Sequence, residues 1–179
     1  LQFTFMTLAT LPAALLMKKV GRANGFILFI VIGTFGALLA LYALYKQDFL
    51  MFCFGSALFG ASAGSNQQFR FAAVDTADKN MKAKAVSLVL AGGVFAGLAG
   101  PTLSAWAYDL LAPIIYGGVF AVIIFMQIVM VIFLLFTDIP MPDEKERKGK
   151  VRPFREIAAQ PAFLVAVFSS MVGYGVMNF

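Results

Sequence analysis

The chain has 179 residues, of which 61% are hydrophobic and only 13% are charged. Soluble globular domains carry roughly 45–50% apolar and about 25% charged residues, so this composition excludes an ordinary water-soluble domain. The chain has no histidine and a single cysteine, Cys53, so we expect no metal site, no internal disulfide, no histidine-based catalysis and no cofactor. The net charge of +5 does not indicate nucleic-acid binding, because the basic residues stand in short clusters between long uncharged runs.

These uncharged runs predict an all-α membrane protein, a polytopic helical bundle. A helix rises about 1.5 Å per residue, so about 20 residues cross a hydrocarbon core about 30 Å thick. The four inner runs are each long enough for one crossing, and the two outer runs are cut by the chain ends, which predicts a piece of a longer protein. The predicted helices cover about 1–17, 25–45, 49–74, 85–108 and 113–137, and they are followed by a loop over 138–160 and another apolar segment over 161–179.

The charges of the connecting loops alternate along the chain. If the odd-numbered loops are cytoplasmic, every one of the 14 lysines and arginines except Lys46 lies on the inner side. Lysine and arginine bias in short loops sets the orientation of membrane proteins, so we expect the basic loops to be cytoplasmic. The loop over 138–160 is longer and contains three prolines, which predicts a connector between two helical bundles, either solvated or with a short interfacial helix.

The first basic loop, over 14–22, carries the first family likeness. Leu16, Gly21 and Arg22 match the signature G-x-L-x-D-R-x-G-R-R, and Lys19 keeps the charge of an arginine. In this loop the chain resembles the major facilitator superfamily of membrane transporters. Lys18 stands where that signature has its aspartate, so the latch that the aspartate forms in the family is in question here. Any short inner loop is also basic, which is the simpler interpretation.

Two later segments extend the resemblance. Residues 76–85 are similar to the family loop T-A-P-E-x-x-R-G-R-A, with Lys82 and Lys84 in place of arginines. The resemblance implies that Asp75 pairs with Arg22 or Lys19 at the inner face, although Asp75 could equally cap its helix or be solvated.

Small residues recur along the predicted helix over 85–108. Its Gly100 and Pro101 match a fifth-helix pattern that is associated with the antiporters of the family. Small residues let helices approach closely and proline bends a helix, and generic packing would explain the same residues. Gly60 and Gly64, four residues apart in the preceding predicted helix, likewise suit close helix packing.

The resemblance covers nearly the whole chain and implies its function. It places 1–137 in a partial N-terminal bundle and 161–179 at the start of the C-terminal bundle of a secondary transporter. Such a protein moves a small solute by alternating access, driven by a solute gradient or by a proton or other ion, across what we expect to be a bacterial inner membrane. The expected partners are therefore the lipid bilayer and the solute, and no nucleic acid. The alternative is a non-transporting membrane scaffold or assembly subunit, whereas the spans lack the acidic and histidine clusters that a membrane enzyme needs.

Polar side chains within the spans are the candidates for solute contact, because polar groups at membrane depth are expensive. Ser62, Asn66 and Arg70 are four residues apart on one helix face, and Gln67 flanks that face. Arg70 could hold an anionic group, or, near the inner boundary, extend to lipid headgroups or join a gate pair. The helices over 25–45 and 113–137 are apolar nearly all round, with Gln127 the main exception, and are expected to face lipid.

The predicted orientation can be tested by labelling intact cells. An impermeant amine reagent should modify Lys46, on the outside, and spare Lys79, on the inside, because only outer loops are accessible. Mass spectrometry of the purified protein measures both positions. Equal labelling of the two lysines would contradict the orientation.

Overall fold

The computed structural model describes residues 1–77, 80–137 and 160–177, with only the backbone described at 75–76 and 174–177. Every regular element among these residues is an α-helix, which confirms the predicted all-α class. Leu1–Pro142 form one compact unit and Asp143–Phe179 form a second. The helices are α1 (Gln2–Val20), α2 (Arg22–Lys46), α3 (Phe49–Asn66), α4 (Phe69–Thr76), α5 (Lys82–Ala107), α6 (Gly117–Phe136) and α7 (Pro161–Met177).

Four of these helices, α1, α2, α5 and α6, are long and apolar enough to cross a bilayer. Many of their large apolar side chains point outward, such as Phe35, which is 59% exposed, and Phe133, which is 69% exposed. An exposed apolar surface of this extent suits lipid and not water. The chain is therefore an integral membrane protein. In the second unit, α7 is a shorter apolar helix of 17 residues.

The helix predicted over 49–74 is divided in the structure, and this part of the prediction is corrected. Asp48 caps the start of α3 by accepting a hydrogen bond from the Met51 N–H at 3.0 Å. The helix ends at Asn66, where the Gln68 N–H donates to the Ser65 carbonyl at 2.9 Å, three residues back. The Ser65 hydroxyl donates to the Ser62 carbonyl at 2.7 Å and so competes with the backbone for that acceptor. Gln67 and Gln68 keep right-handed helical angles, so the interruption is a tightened turn and not a reversal.

The other predicted bounds differ less from the structure. The helix predicted to begin near Pro113 begins at Gly117, because the chain first makes turns, with the Gly117 N–H donating to the Ile114 carbonyl at 3.0 Å. α1 continues beyond the predicted end at 17 and includes two lysines in its last turn, where the negative end of the helix dipole favours cations.

Glycines bring α1, α2 and α3 into close contact. A Cβ added at Gly36 of α2 would lie 2.8 Å from the Gly55 carbonyl oxygen of α3, and one added at Gly55 would lie 2.7 Å from the Ala40 amide nitrogen. On the other side of α3, Gly60 faces the backbone of Gln2, and a Cβ at Gly64 would lie 2.6 Å from the Met6 carbonyl oxygen. The structure thus places the α1 backbone directly against the two glycines that the sequence singled out for close packing.

α2 turns large side chains such as Phe35 outward, as expected of a helix that faces lipid, but its other side is packed in the bundle. It packs on α1, α3 and α6, and the side it turns to them is made largely of small buried residues. This packed side carries no signal in the sequence, because alanine and glycine are apolar whether they face lipid or protein, yet their small size lets neighbouring helices approach closely.

A cluster of larger side chains joins four helices near the start of α2. The rings of Phe26 (α2) and Phe69 (α4) stack with centroids 4.0 Å apart and planes at 10°. Met17 of α1, Ile30 of α2, Ala72 of α4 and Leu134 of α6 complete the buried cluster. Because lipid is as apolar as these side chains, their contribution is close packing and not removal from water.

In contrast, α5 is exposed along most of its length. It packs mainly on α4 and α6, and Ala107 at its end is its buried residue. No described atom lies within 4 Å of a Cβ added at Gly93, Gly97 or Gly100. Pro101 lies inside the helix, and a bend at Gly100 and Pro101 stays a prediction.

Two glycine-to-alanine variants test the α2–α3 contact. Gly36→Ala should lower the melting temperature of the purified full-length protein in detergent by roughly 5 °C, because its Cβ cannot fit 2.8 Å from the α3 backbone without separating the helices. Gly97→Ala is the matched control and should cause no comparable loss. Equal decreases for both variants would contradict the contact.

Candidate functional site

A cavity of about 480 Å³ lies within the first unit, between α3, α5 and α6. Phe59 and Ala63 of α3, Leu103 of α5, and Ile123 and Met126 of α6 are among its apolar walls. The volume falls in the range of about 300–1,000 Å³ that is usual for small-molecule pockets. The cavity exists because α5 stands away from α3 while both remain connected through their neighbours.

Four uncharged polar side chains line this cavity: Ser62 and Asn66 of α3, Ser104 of α5 and Gln127 of α6. None of the described residues in its lining is charged. Together the hydroxyls and amides can both donate and accept hydrogen bonds. The arrangement can therefore hold an uncharged polar group, whereas an ion would find no opposite charge in the lining.

Gly33 of α2 makes room for two of these side chains. A Cβ at Gly33 would overlap the Ser62 hydroxyl and lie 2.9 Å from the amide nitrogen of Gln127. Ser62 is only 3% exposed, and Gln127 is half-buried. Glycine at this position thus lets side chains from α3 and α6 converge at one edge of the cavity.

The structure separates the four residues that the sequence proposed for the cavity. Ser62 and Asn66 line it, whereas Gln67 and Arg70 lie outside its lining. The tightened turn after Asn66 explains the division, because it breaks the helix face that would have carried Ser62, Asn66 and Arg70 with Gln67 beside it. Arg70 is exposed, and its guanidinium lies 5.2 Å from the centre of the adjacent Phe71 ring.

Sequence reasoning did not assign Gln127 or Ser104 to the cavity. Gln127 is the sole polar side chain within α6, and an amide in an otherwise apolar membrane helix was the available signal. Because the rest of that helix is apolar, the sequence predicted that α6 faces lipid, and Gln127 was not assigned to the cavity. Ser104 is one of the small residues that repeat in the predicted helix over 85–108, and nothing in its sequence position distinguishes a hydroxyl that lines a cavity from one that packs.

The α1–α2 junction shows why glycine is needed in the first basic loop. Gly21 has a φ of 96°, which favours glycine, and its N–H donates to the Met17 carbonyl at 3.0 Å. Arg22 begins α2 and is half-buried, whereas Lys19 is exposed. The side chain of Asp75 lies outside the described residues, so its pairing with Arg22 or Lys19 stays a prediction.

The second basic loop is described only in part. Lys82 and Lys84 are both exposed in the first turn of α5. Residues 78–79 of the same loop, and the loop over 138–159, lie outside the described residues. The proposed roles of these segments at an inner face are therefore not tested.

Comparison with known proteins gives a consistent set of relatives. The family model of the Major Facilitator Superfamily matches residues 1–179. A riboflavin transporter, RfnT, of Brucella anthropi is 32% identical over 176 residues, which is 97% of the chain and 44% of that relative. An uncharacterized MFS-type transporter of Bacillus subtilis, YddS, is 27% identical over 148 residues, 75% of the chain and 33% of the relative.

A second Bacillus subtilis protein, the uncharacterized MFS-type transporter YdeG, is 33% identical over 89 residues, 49% of the chain and 20% of the relative. The chain thus spans less than half the length of the curated relatives that it matches. No solved structure matches the chain.

Proposed function

The chain belongs to the major facilitator superfamily, and from this we propose that the full-length protein is a secondary active transporter of a small organic solute. The observation that carries the proposal is the 32% identity to a transporter over 97% of the chain. The cavity supports it, because an apolar pocket with a few convergent polar groups is the usual form of a small-molecule site. The same relationship favours a transport protein over an enzyme.

Riboflavin is the first solute that we propose, since the relative just named carries it. It is an uncharged molecule with a flat ring system and several hydrogen-bonding groups. These properties suit a cavity whose walls are apolar and whose polar groups are hydroxyls and amides. The fit between riboflavin and the cavity lining supports the proposal beside the identity to RfnT, although other uncharged ring compounds would fit the same lining.

The proposed mechanism is alternating access, in which two bundles rock about a site near the midplane of a bacterial inner membrane. Contacts around Arg22 and Asp75 at the cytoplasmic face would stabilise one of the two states. The energy would come from a solute or ion gradient. The described parts of α1, α2, α3, α5 and α6 contain no aspartate or glutamate, so a coupling carboxylate would have to lie elsewhere in the protein.

Uptake by liposomes tests the proposal. The purified full-length protein in liposomes should accumulate labelled riboflavin or another small solute when a proton, sodium or solute gradient is imposed, and should stop when an ionophore removes the gradient. Empty liposomes are the control.

If a broad panel of solutes shows no gradient-driven uptake or efflux, the transport proposal fails. That outcome would favour a non-transporting membrane subunit, whose copurifying partners could then be identified.

A further inference from the structure

Two polar side chains from different helices converge at one edge of the cavity. The Ser62 hydroxyl and the Gln127 amide converge beside Gly33, and neither makes a hydrogen bond to another described residue. Ser62 is 97% buried, since only 3% of it is exposed, and both residues line the cavity. Both side chains therefore keep hydrogen-bonding capacity at the edge of the cavity, where a ligand can use it.

The lining limits what that ligand can be. A charged ligand would leave water for a cavity in which no lining residue offers an opposite charge, and this is strongly unfavourable. An uncharged edge that both donates and accepts hydrogen bonds would satisfy the hydroxyl of Ser62 and the amide of Gln127 together. The remaining walls, which include Phe59, Ile123 and Met126, are suited to an apolar body.

We infer that the cavity binds an uncharged organic solute with an amide-like edge, and that Ser62 and Gln127 are the specificity-determining pair that binds this edge. The inference rests on the proposed transport function and extends it to a substrate class and to a helix, α6, that the sequence assigned to lipid. Gly33 is the positioning residue, because any Cβ there would displace both polar side chains.

Binding to the purified full-length protein in detergent tests this pair. The probe is tritiated riboflavin, which is uncharged, with two competitors: lumiflavin, which keeps its uncharged ring system with a methyl group in place of the ribityl chain, and its negatively charged 5′-phosphate. Gln127→Leu keeps the size of the side chain and removes its hydrogen bonds. The matched control is Gln68→Leu, the same change at a half-buried residue outside the lining.

We expect Gln127→Leu to weaken riboflavin binding about tenfold, as for the loss of roughly one hydrogen bond to a buried partner. Gln68→Leu should stay within about twofold of the unsubstituted protein. Ser62→Ala should weaken binding less, and the double variant should be less impaired than the product of the two effects, because both residues bind one edge. Lumiflavin should compete, and the 5′-phosphate should compete at least tenfold more weakly than riboflavin.

Gly33→Ala gives a second test of the geometry. Its Cβ overlaps the Ser62 hydroxyl and lies 2.9 Å from the amide nitrogen of Gln127, so it displaces both groups, and binding should fall as far as in Gln127→Leu while both residues are still present. Gel filtration and membrane yield establish whether this variant is folded. If Gly33→Ala is not folded, the Gln127→Leu measurement still decides the inference.

The possible outcomes separate this inference from the proposed function. Equal binding by Gln127→Leu and Gln68→Leu, equal competition by the phosphate, or no binding of either uncharged probe would overturn the inference. Normal uptake by Gln127→Leu liposomes would overturn it as well and leave transport intact. Binding that follows the expected pattern without any uptake would support the cavity and contradict transport.

Discussion

Close approach of helix backbones at glycine is the constraint on which the rest of this structure depends. In lipid, apolar side chains gain nothing by leaving their solvent, so association of helices relies on contact over short distances. Gly36 and Gly55 allow α2 and α3 to meet, and Gly60 and Gly64 allow α1 to meet the other side of α3. A Cβ at any of these positions would come within 2.8 Å of a backbone atom of the neighbouring helix. Three helices are thereby fixed as a compact group, to which α4 and α6 attach through the cluster around Phe26 and Phe69.

The cavity follows from this group. Because α2 and α3 are close at Gly33, the Ser62 hydroxyl and the Gln127 amide reach the same point from different helices. α5 lacks such contacts along most of its length and leaves the space between itself and α3 open. A single feature, the absence of a side chain at certain positions of α2 and α3, therefore explains both the tight part of the bundle and the polar edge of its pocket. Because the described lining is uncharged, the solute that we propose for this cavity is uncharged as well.

Much of the fold could be predicted because a helix that crosses lipid needs a long, uncharged apolar run, which is visible in the sequence. The lengths of the uncharged runs indicated the membrane helices, Gly21 indicated the turn that its φ of 96° requires, and the spacing of Gly60 and Gly64 indicated a packing surface. The break after Asn66 could not be predicted from hydropathy, because it depends on local hydrogen bonds of Ser65. The role of Gln127 depends on which helix stands opposite, and periodicity within one helix carries no such information. The same limit applies to α2, whose small residues have the same composition whether they face lipid or protein.

Thermal unfolding of glycine variants at the α1–α3 contact tests the close approach most directly. A Cβ at Gly64 would lie 2.6 Å from the Met6 carbonyl oxygen of α1, whereas no described atom lies within 4 Å of a Cβ at Gly93. The account predicts that Gly64→Ala lowers the melting temperature of the purified full-length protein in detergent clearly more than Gly93→Ala, because only the first variant forces two helix backbones apart. Equal melting temperatures for the two variants would contradict it.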